Sequence, residues 1–173
     1  MANTYTLISS NTLSSTAATV TLSSIPNTYT DLVLQVSARG NSANPNANIL
    51  FTFNNDTASN YSSLSARGDG PSTVDLYTIS GTVTTNFDRV PADSSTANVF
   101  GTGELYIVSY GASRTKAMTT FFSTEINDST GFTIGQSAHS WSNSAAISSI
   151  TMELGSGSFV SGSTFYLYGI KNT

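Results

Sequence analysis

Apolar and polar residues alternate with a period of two along most of this chain, in runs closed by clusters of Gly, Pro, Asn and Ser. Such alternation is the mark of strands with one buried face. The clearest run covers 32–38, where Leu32, Leu34, Val36 and Ala38 alternate with Val33, Gln35 and Ser37. The same reading gives strands at 5–8, 18–22, 49–53, 61–67, 74–79, 104–110, 117–126, 132–140, 146–154 and 164–170. Between them, 24–27 reads as a turn in which Pro26 fixes φ and removes a ladder donor. The stretch 41–48, with Pro45, reads as a loop, Asn54-Asn55-Asp56 as a strand end, and Gly68-Asp69-Gly70-Pro71 as a turn. Residues 81–99 read as mostly irregular, apart from a candidate strand near Val83, and 93–99 as loop or a single helical turn. No segment holds helical apolar spacing over two turns.

About ten strands separated by turn signals predict one all-β domain, an antiparallel two-sheet sandwich of jelly-roll type. The sandwich is expected over 13–173, with 1–12 as an N-terminal arm or first strand. Several strands are apolar on both faces: Tyr106, Val108 and Tyr110 back Leu105 and Ile107, while Tyr166, Tyr168 and Ile170 back Phe165 and Leu167. A sandwich buries one face of each sheet, so the second row needs its own cover. Loops, the N-terminal segment or plain exposure would account for it. A subunit interface would as well, and there tyrosine is enriched because it is large and amphipathic. Tyr5, Leu7, Tyr106, Tyr110, Tyr166 and Tyr168 are the interface candidates.

Composition supports a folded domain. Charged residues make up only 9%, against roughly 25% in an average protein, and the aromatic share of 10% sits inside Val/Ile/Thr-rich runs. Disordered chains show the reverse bias. The net charge is −4, and the six basic residues (Arg39, Arg67, Arg89, Arg114, Lys116 and Lys171) are scattered. Phosphate neutralisation needs them clustered, so no nucleic-acid partner is expected. The chain has no cysteine, hence no disulfide and no thiolate metal site. The first residues lack the basic and apolar regions of a signal peptide, and no apolar run approaches the roughly 20 residues needed to span a bilayer. Neither membrane partner nor encoded export route is expected.

Candidate chemistry is sparse. The only histidine, His139, stands beside Ser140 and Trp141 at a strand end. A nucleophilic triad needs a base, but no Gly-x-Ser-x-Gly elbow precedes a helix, and a surface or interface histidine is the preferred reading. Glu104, Glu125 and Glu153 lie on expected strands and would suit glycoside hydrolysis only if two shared a concave face. The preferred reading makes them outward, solubilising or edge-guarding residues. Asn54, Asn55 and Asp56, with Asp69 or Asp75, could supply oxygens to calcium, although Asn-Asn-Asp is ordinary turn chemistry. Arg67-Gly68-Asp69 matches an adhesion tripeptide within a turn-forming sequence. Three glycosylation patterns begin at Asn55, Asn60 and Asn127, the last reading Asn127-Asp128-Ser129. No catalytic residue, cofactor or metal site is assigned.

Three strings occur in order: Ser24-Ile25-Pro26-Asn27-Thr28-Tyr29-Thr30-Asp31-Leu32, then Phe53-Asn54-Asn55-Asp56-Thr57-Ala58-Ser59-Asn60-Tyr61-Ser62, then Phe165-Tyr166-Leu167-Tyr168-Gly169-Ile170-Lys171. This order resembles a family of small virion-associated proteins of tailed bacteriophages, marine and cyanobacterial ones in particular, over residues 9–171 except 81–99. The resemblance implies a jelly-roll component of the virion, assembled in the host cytoplasm, homotrimeric, and without catalytic residues. The leading expectation is a capsid decoration or cement protein that binds the major capsid protein, with residues 1–10 as an arm. The alternative is a tail-fibre or tail-tip module for host carbohydrate, with His139, Trp141 and Asn143 as binding groups.

Overall fold

The computed structural model describes residues 4–70, 73–127 and 131–171. Met1 to Asn3 of the expected arm, Pro71 of the expected turn, and Asp128 and Ser129 of one glycosylation pattern lie outside the described residues. Among the described residues there is no helix, and twelve strands run in the order β1 (Tyr5–Thr12), β2 (Thr19–Leu22), β3 (Asp31–Ala38), β4 (Asn46–Phe53), β5 (Tyr61–Asp69), β6 (Thr73–Thr82), β7 (Thr85–Pro91), β8 (Gly101–Val108), β9 (Lys116–Glu125), β10 (Phe132–Trp141), β11 (Ile150–Leu154) and β12 (Thr164–Ile170). They form an eight-stranded sheet, β1-β12-β3-β8-β9-β10-β5-β6, and a four-stranded sheet, β2-β11-β4-β7. The antiparallel two-sheet sandwich of the sequence reading is therefore the fold observed.

The core lies where the sheets overlap. Val20, Leu22, Ile49, Phe51, Phe53, Ile150 and Met152 from the small sheet meet Leu32, Leu34, Val36, Leu105, Ile107, Phe165 and Leu167 from the large one, all nearly inaccessible. Burying each such side chain contributes roughly 1.5–3 kcal/mol.

Three expectations are corrected. Residues 81–99 hold a strand that the alternation did not place, because β7 pairs with β4 through Asn46↔Pro91 to Phe51↔Thr85. The loop expected at 41–48 gives way to strand at Asn46. The segment 146–149 is not strand, since β11 begins at Ile150. Of the two readings of 1–12, arm or first strand, Tyr5–Thr12 takes the second: it is the edge strand β1, paired antiparallel with β12 from Tyr5↔Ile170 to Thr12↔Thr164.

The 93–99 stretch is a loop organised by a residue the sequence reading treated only as a scattered base. Arg39 is 7% exposed. Its Nη1 donates to the carbonyls of Thr96 (2.7 Å) and Val99 (3.1 Å), and its Nη2 to those of Ala92 (2.6 Å) and Ser95 (3.2 Å). A planar, multi-donor guanidinium suits several converging carbonyls as no other side chain does.

Candidate functional site

The eight-stranded sheet has an inner face toward the core and an outer face with no second sheet over it. Cross-strand register carries one continuous outer row across all eight strands: Ser10, Tyr166, Gln35, Glu104, Phe121, Gln136, Ala66 and Leu76. A neighbouring row runs Leu7, Tyr168, Val33, Tyr106, Thr119, Ala138, Leu64 and Thr78.

At the β10-β5-β6 end, the usual polarity of a sandwich strand is inverted. Facing inward are Ser63, Ser65, Thr133, Ser137 and His139, all buried. Facing outward are Leu64 (55% exposed), Val74 (76%), Leu76 (74%) and Ile134 (45%). Four of these five, Ser65, Ser137, Thr133 and His139, persist there because neighbouring side chains satisfy them. Ser137 Oγ donates to Ser65 Oγ at 2.7 Å and Thr133 Oγ1 to Asp69 Oδ1 at 2.7 Å. His139 is held through Nδ1 by Thr85 Oγ1 at 2.7 Å and through Nε2 by Thr120 Oγ1 at 3.0 Å.

Among the described residues, eleven large apolar side chains are exposed, and nine of them (Tyr5, Leu7, Leu64, Val74, Leu76, Val108, Phe121, Phe132 and Ile134) lie on this outer face. Monomeric proteins seldom gather apolar residues on one face without a use for them. Two depressions flank Phe121. One, about 570 Å³, is bounded by Leu64, Leu76, Glu104, Thr119 and Gln136. The other, about 390 Å³, is bounded by Gln35, Thr102, Glu104, Thr164 and Tyr166.

Five of the six interface candidates converge on this face. Tyr5 meets Tyr168 edge-to-face at 6.4 Å between ring centroids. Tyr106 and Tyr168 stand in register on either side of Val33, which is only 1% exposed despite its outward position. The tyrosines thus supply part of the cover that the second apolar row required. Tyr106 donates from its hydroxyl to Asp31 Oδ2 at 2.8 Å, and burial followed by that hydrogen bond pushes its pKa up to about 12. Tyr110 is the exception. It lies past the end of β8, is fully buried, and donates its hydroxyl to the Pro26 carbonyl. A residue at the strand end escapes the alternation that placed the others.

The carbohydrate candidates do not form an exposed loop site. Trp141 is fully buried and His139 is 4% exposed, packed edge-to-face against Phe51. His139 is therefore not a surface histidine; burial pulls its pKa down to about 4. Trp141 stacks on Tyr61, lies beneath Lys116 Nζ at 5.6 Å, and shares Asp56 Oδ2 as acceptor with half-buried Asn143. Lys116 itself is fully buried, and burial, aided by the Arg114 charge, lowers its pKa.

Asn54-Asn55-Asp56 has the geometry of a turn. Asn54 and Asn55 take left-handed φ values of 53° and 55°, and Asp56 N donates to the Phe53 carbonyl at 2.8 Å. Asparagine tolerates that region better than most residues. The Asp56 carboxylate faces N–H donors, which stand where a cation's other ligands would have to be. Among the described residues no three His, Cys, Asp or Glu side chains are grouped to hold a metal.

The glutamates are dispersed. Glu153 is on the small sheet, opposite Leu50. Glu104 and Glu125 share the outer face, but Glu125 lies four residues along β9 from Phe121, the residue opposite Glu104. At the strand rise that is a displacement of roughly 13 Å, beyond the 5–9.5 Å or so of glycosidase pairs. Arg67-Gly68-Asp69 is strand, not loop tip, with Arg67 ion-paired to Asp69 (3.4 Å) and Asp75 (3.1 Å).

The fold and this face define a two-sheet antiparallel β-sandwich with a broad, nearly uncharged outer surface. No protein-family model matches the chain, and no curated protein does. Among solved structures it is similar to the galectin LEC-6 of Caenorhabditis elegans, with 13% identity, a TM-score of 0.37, and coverage of 94% of this chain and 96% of that one. It is also similar to scytalido-glutamic peptidase bound to a peptide-based transition state analog, with 15% identity, a TM-score of 0.25, and coverage of 95% and 66%. Scores of this size carry no function from those proteins to this chain.

Proposed function

We propose that this chain is a non-catalytic structural component of a tailed-phage particle, a capsid decoration protein that adheres through the outer face of its eight-stranded sheet. The inverted patterning of β10, β5 and β6 carries this reading. Apolar side chains that could have filled the sandwich point outward instead, while Ser, Thr and His fill the interior. Apolar area removed from water contributes roughly 25 cal/mol per Å², so a face of this kind rewards a permanent neighbour. Low charge suits the same end, since few ions must be desolvated on contact. The resemblance to virion proteins supplies the setting, with the major capsid protein as neighbour.

The test is copy number. Quantitative mass spectrometry of purified particles is expected to find hundreds of copies, and a count in the tens would sink the decoration reading.

A second reading, a tail module that binds host glycan, draws on the two depressions beside Phe121. An aromatic ring flanked by Gln35, Gln136, Glu104 and Tyr166 offers a stacking surface and hydrogen-bonding groups for a sugar. On that reading the binding residue is Phe121, and glycan-array binding disappears in Phe121→Ala while persisting in Val108→Ala.

A further inference from the structure

The two sheets have four edges, and three of them carry features that block pairing with another strand. β1 has a register shift between Leu7 and Ser9. β2 is only four residues long. β7 skips a residue between Asn86 and Asp88 and carries Pro91. Bulges, short length, charge and proline are the usual devices against edge-to-edge association.

The fourth edge, β6, lacks them over most of its length. Its one irregularity skips Gly81, leaving 73–80 in unbroken register with β5. That stretch contains neither lysine nor proline, and its one charge, Asp75, is compensated by Arg67 Nη2 at 3.1 Å. Val74 and Leu76 project from it at 76% and 74% exposure. A long, regular, apolar edge strand is a template for strand addition.

We infer that β6 pairs antiparallel with β6 of a second copy of this chain, joining two eight-stranded sheets across a two-fold axis. A two-fold contact must be self-complementary, and this strand is. Centred on Leu76, the pairing sets Leu76 opposite its counterpart and Val74 opposite the second copy's Thr78, all on the outer face. Asp75 then faces the second copy's Tyr77, whose ring lies 5.6 Å from the Arg67 guanidinium within each chain. The lone carboxylate of each edge thus meets a cationic pair on the other, twice by symmetry. Leu64 and Ile134 extend the apolar face away from the seam on both sides. Because the remaining edges are blunted, association stops at two copies and does not run on into a ladder. This arrangement is two-fold, where the phage resemblance implies three-fold, and it stands independently of any role in a particle.

The absence of native cysteine makes the test clean. Light scattering on the eluted protein at tens of micromolar is expected to give twice the 18.1 kDa chain mass. Leu76→Lys, which places two like charges on the axis, is expected to weaken the dimer at least tenfold while circular dichroism stays that of the folded chain. Leu76→Cys is expected to cross-link under mild oxidation, and Val108→Cys, on the same face but away from the edge, is not. A chain that stays at 18.1 kDa overturns the inference. So does a dimer indifferent to Leu76→Lys, or cross-linking as efficient through Val108→Cys. Particle copy number bears on none of these outcomes.

Discussion

The indole Nε1–H of Trp141 donates to Oδ2 of Asp56 at 2.8 Å, fastening the end of β10 to the turn that closes β4. The same carboxylate accepts from Asn60 Nδ2 (2.9 Å), Asn143 Nδ2 (2.9 Å) and Ala58 N (3.0 Å). Four donors converge on one charge, and one of them belongs to a fully buried ring. Removing the acceptor strands that indole N–H, so Asp56→Ala is expected to cost about 3 kcal/mol and Asp56→Asn roughly half as much. Urea unfolding followed by the fluorescence of the one tryptophan measures it, and an unchanged midpoint for Asp56→Ala would remove the carboxylate from the account.

Acid acts on this protein in two windows. Burial lowers the His139 pKa from 6.5 to about 4. The unfolded chain therefore binds a proton that the folded chain refuses. The associated stability is fully present above pH 6.5 and declines as pH falls toward 4, by a total on the order of 3 kcal/mol. His139→Gln is expected to flatten this part of the pH–stability curve. Asp56 responds lower down. Its hydrogen bonds, that from Asn60 first, hold its pKa at about 2 against an ordinary 3.8. That contribution is complete above the ordinary value and fades as pH drops through 2. A curve as steep between pH 6.5 and 4 in His139→Gln as in the parent would refute the assignment.

Arg39 holds the 92–99 loop through four carbonyls. Lysine has a point charge and no fork, so Arg39→Lys is expected to retain only part of this network and Arg39→Ala to lose it, destabilising by roughly 3 kcal/mol. Hydrogen exchange at Ser95 and Val99, which donate to the Ala92 and Thr96 carbonyls, should rise selectively in Arg39→Ala.

Gly135 gives a purely steric prediction. A Cβ there would stand 2.6 Å from Phe122 Cε1 and 2.7 Å from the Ala66 carbonyl oxygen. A ring can swing aside, but the β5 backbone has nowhere to go, so Gly135→Ala is expected to lower stability by roughly 2–3 kcal/mol. An unaltered melting temperature would contradict the packing described.

Most of the fold was legible because most strands obey simple alternation. Leu32 to Ala38 and Phe165 to Leu167 announce both their strand and their buried side. β7 was not, because its residues mix charge, Thr and Pro without an apolar row. Its place is set by partners, Thr85 reaching His139 across the interior and β4 supplying the ladder. The outward placement of Tyr5, Tyr106, Tyr166 and Tyr168 was legible for the same reason as the strands, from parity alone, whereas that of Tyr110, past the end of β8, was not. Trp141 and His139 were misplaced because their surroundings suggested a polar strand end. Only the structure shows that β10 turns its Ser, Thr and His inward and its Phe132 and Ile134 outward. Phe121 went unnoticed for a related reason. Alternation assigns residues to two faces, and nothing in it says which of two mixed faces is dry.

The order β1-β12-β3 at one end of the large sheet has a kinetic consequence. β12, the last strand, fills the place between the first strand and the third, so that end of the sheet stays open until the final segment arrives. Every pairing it makes closes a loop of most of the chain's length, and the entropy of that closure must be met before the contacts return anything. Folding is expected in milliseconds to seconds, limited by the capture of this one strand. Until then β1 has no partner strand and β3 is paired on its β8 side alone, and that interval is when the chain is most exposed to misassembly.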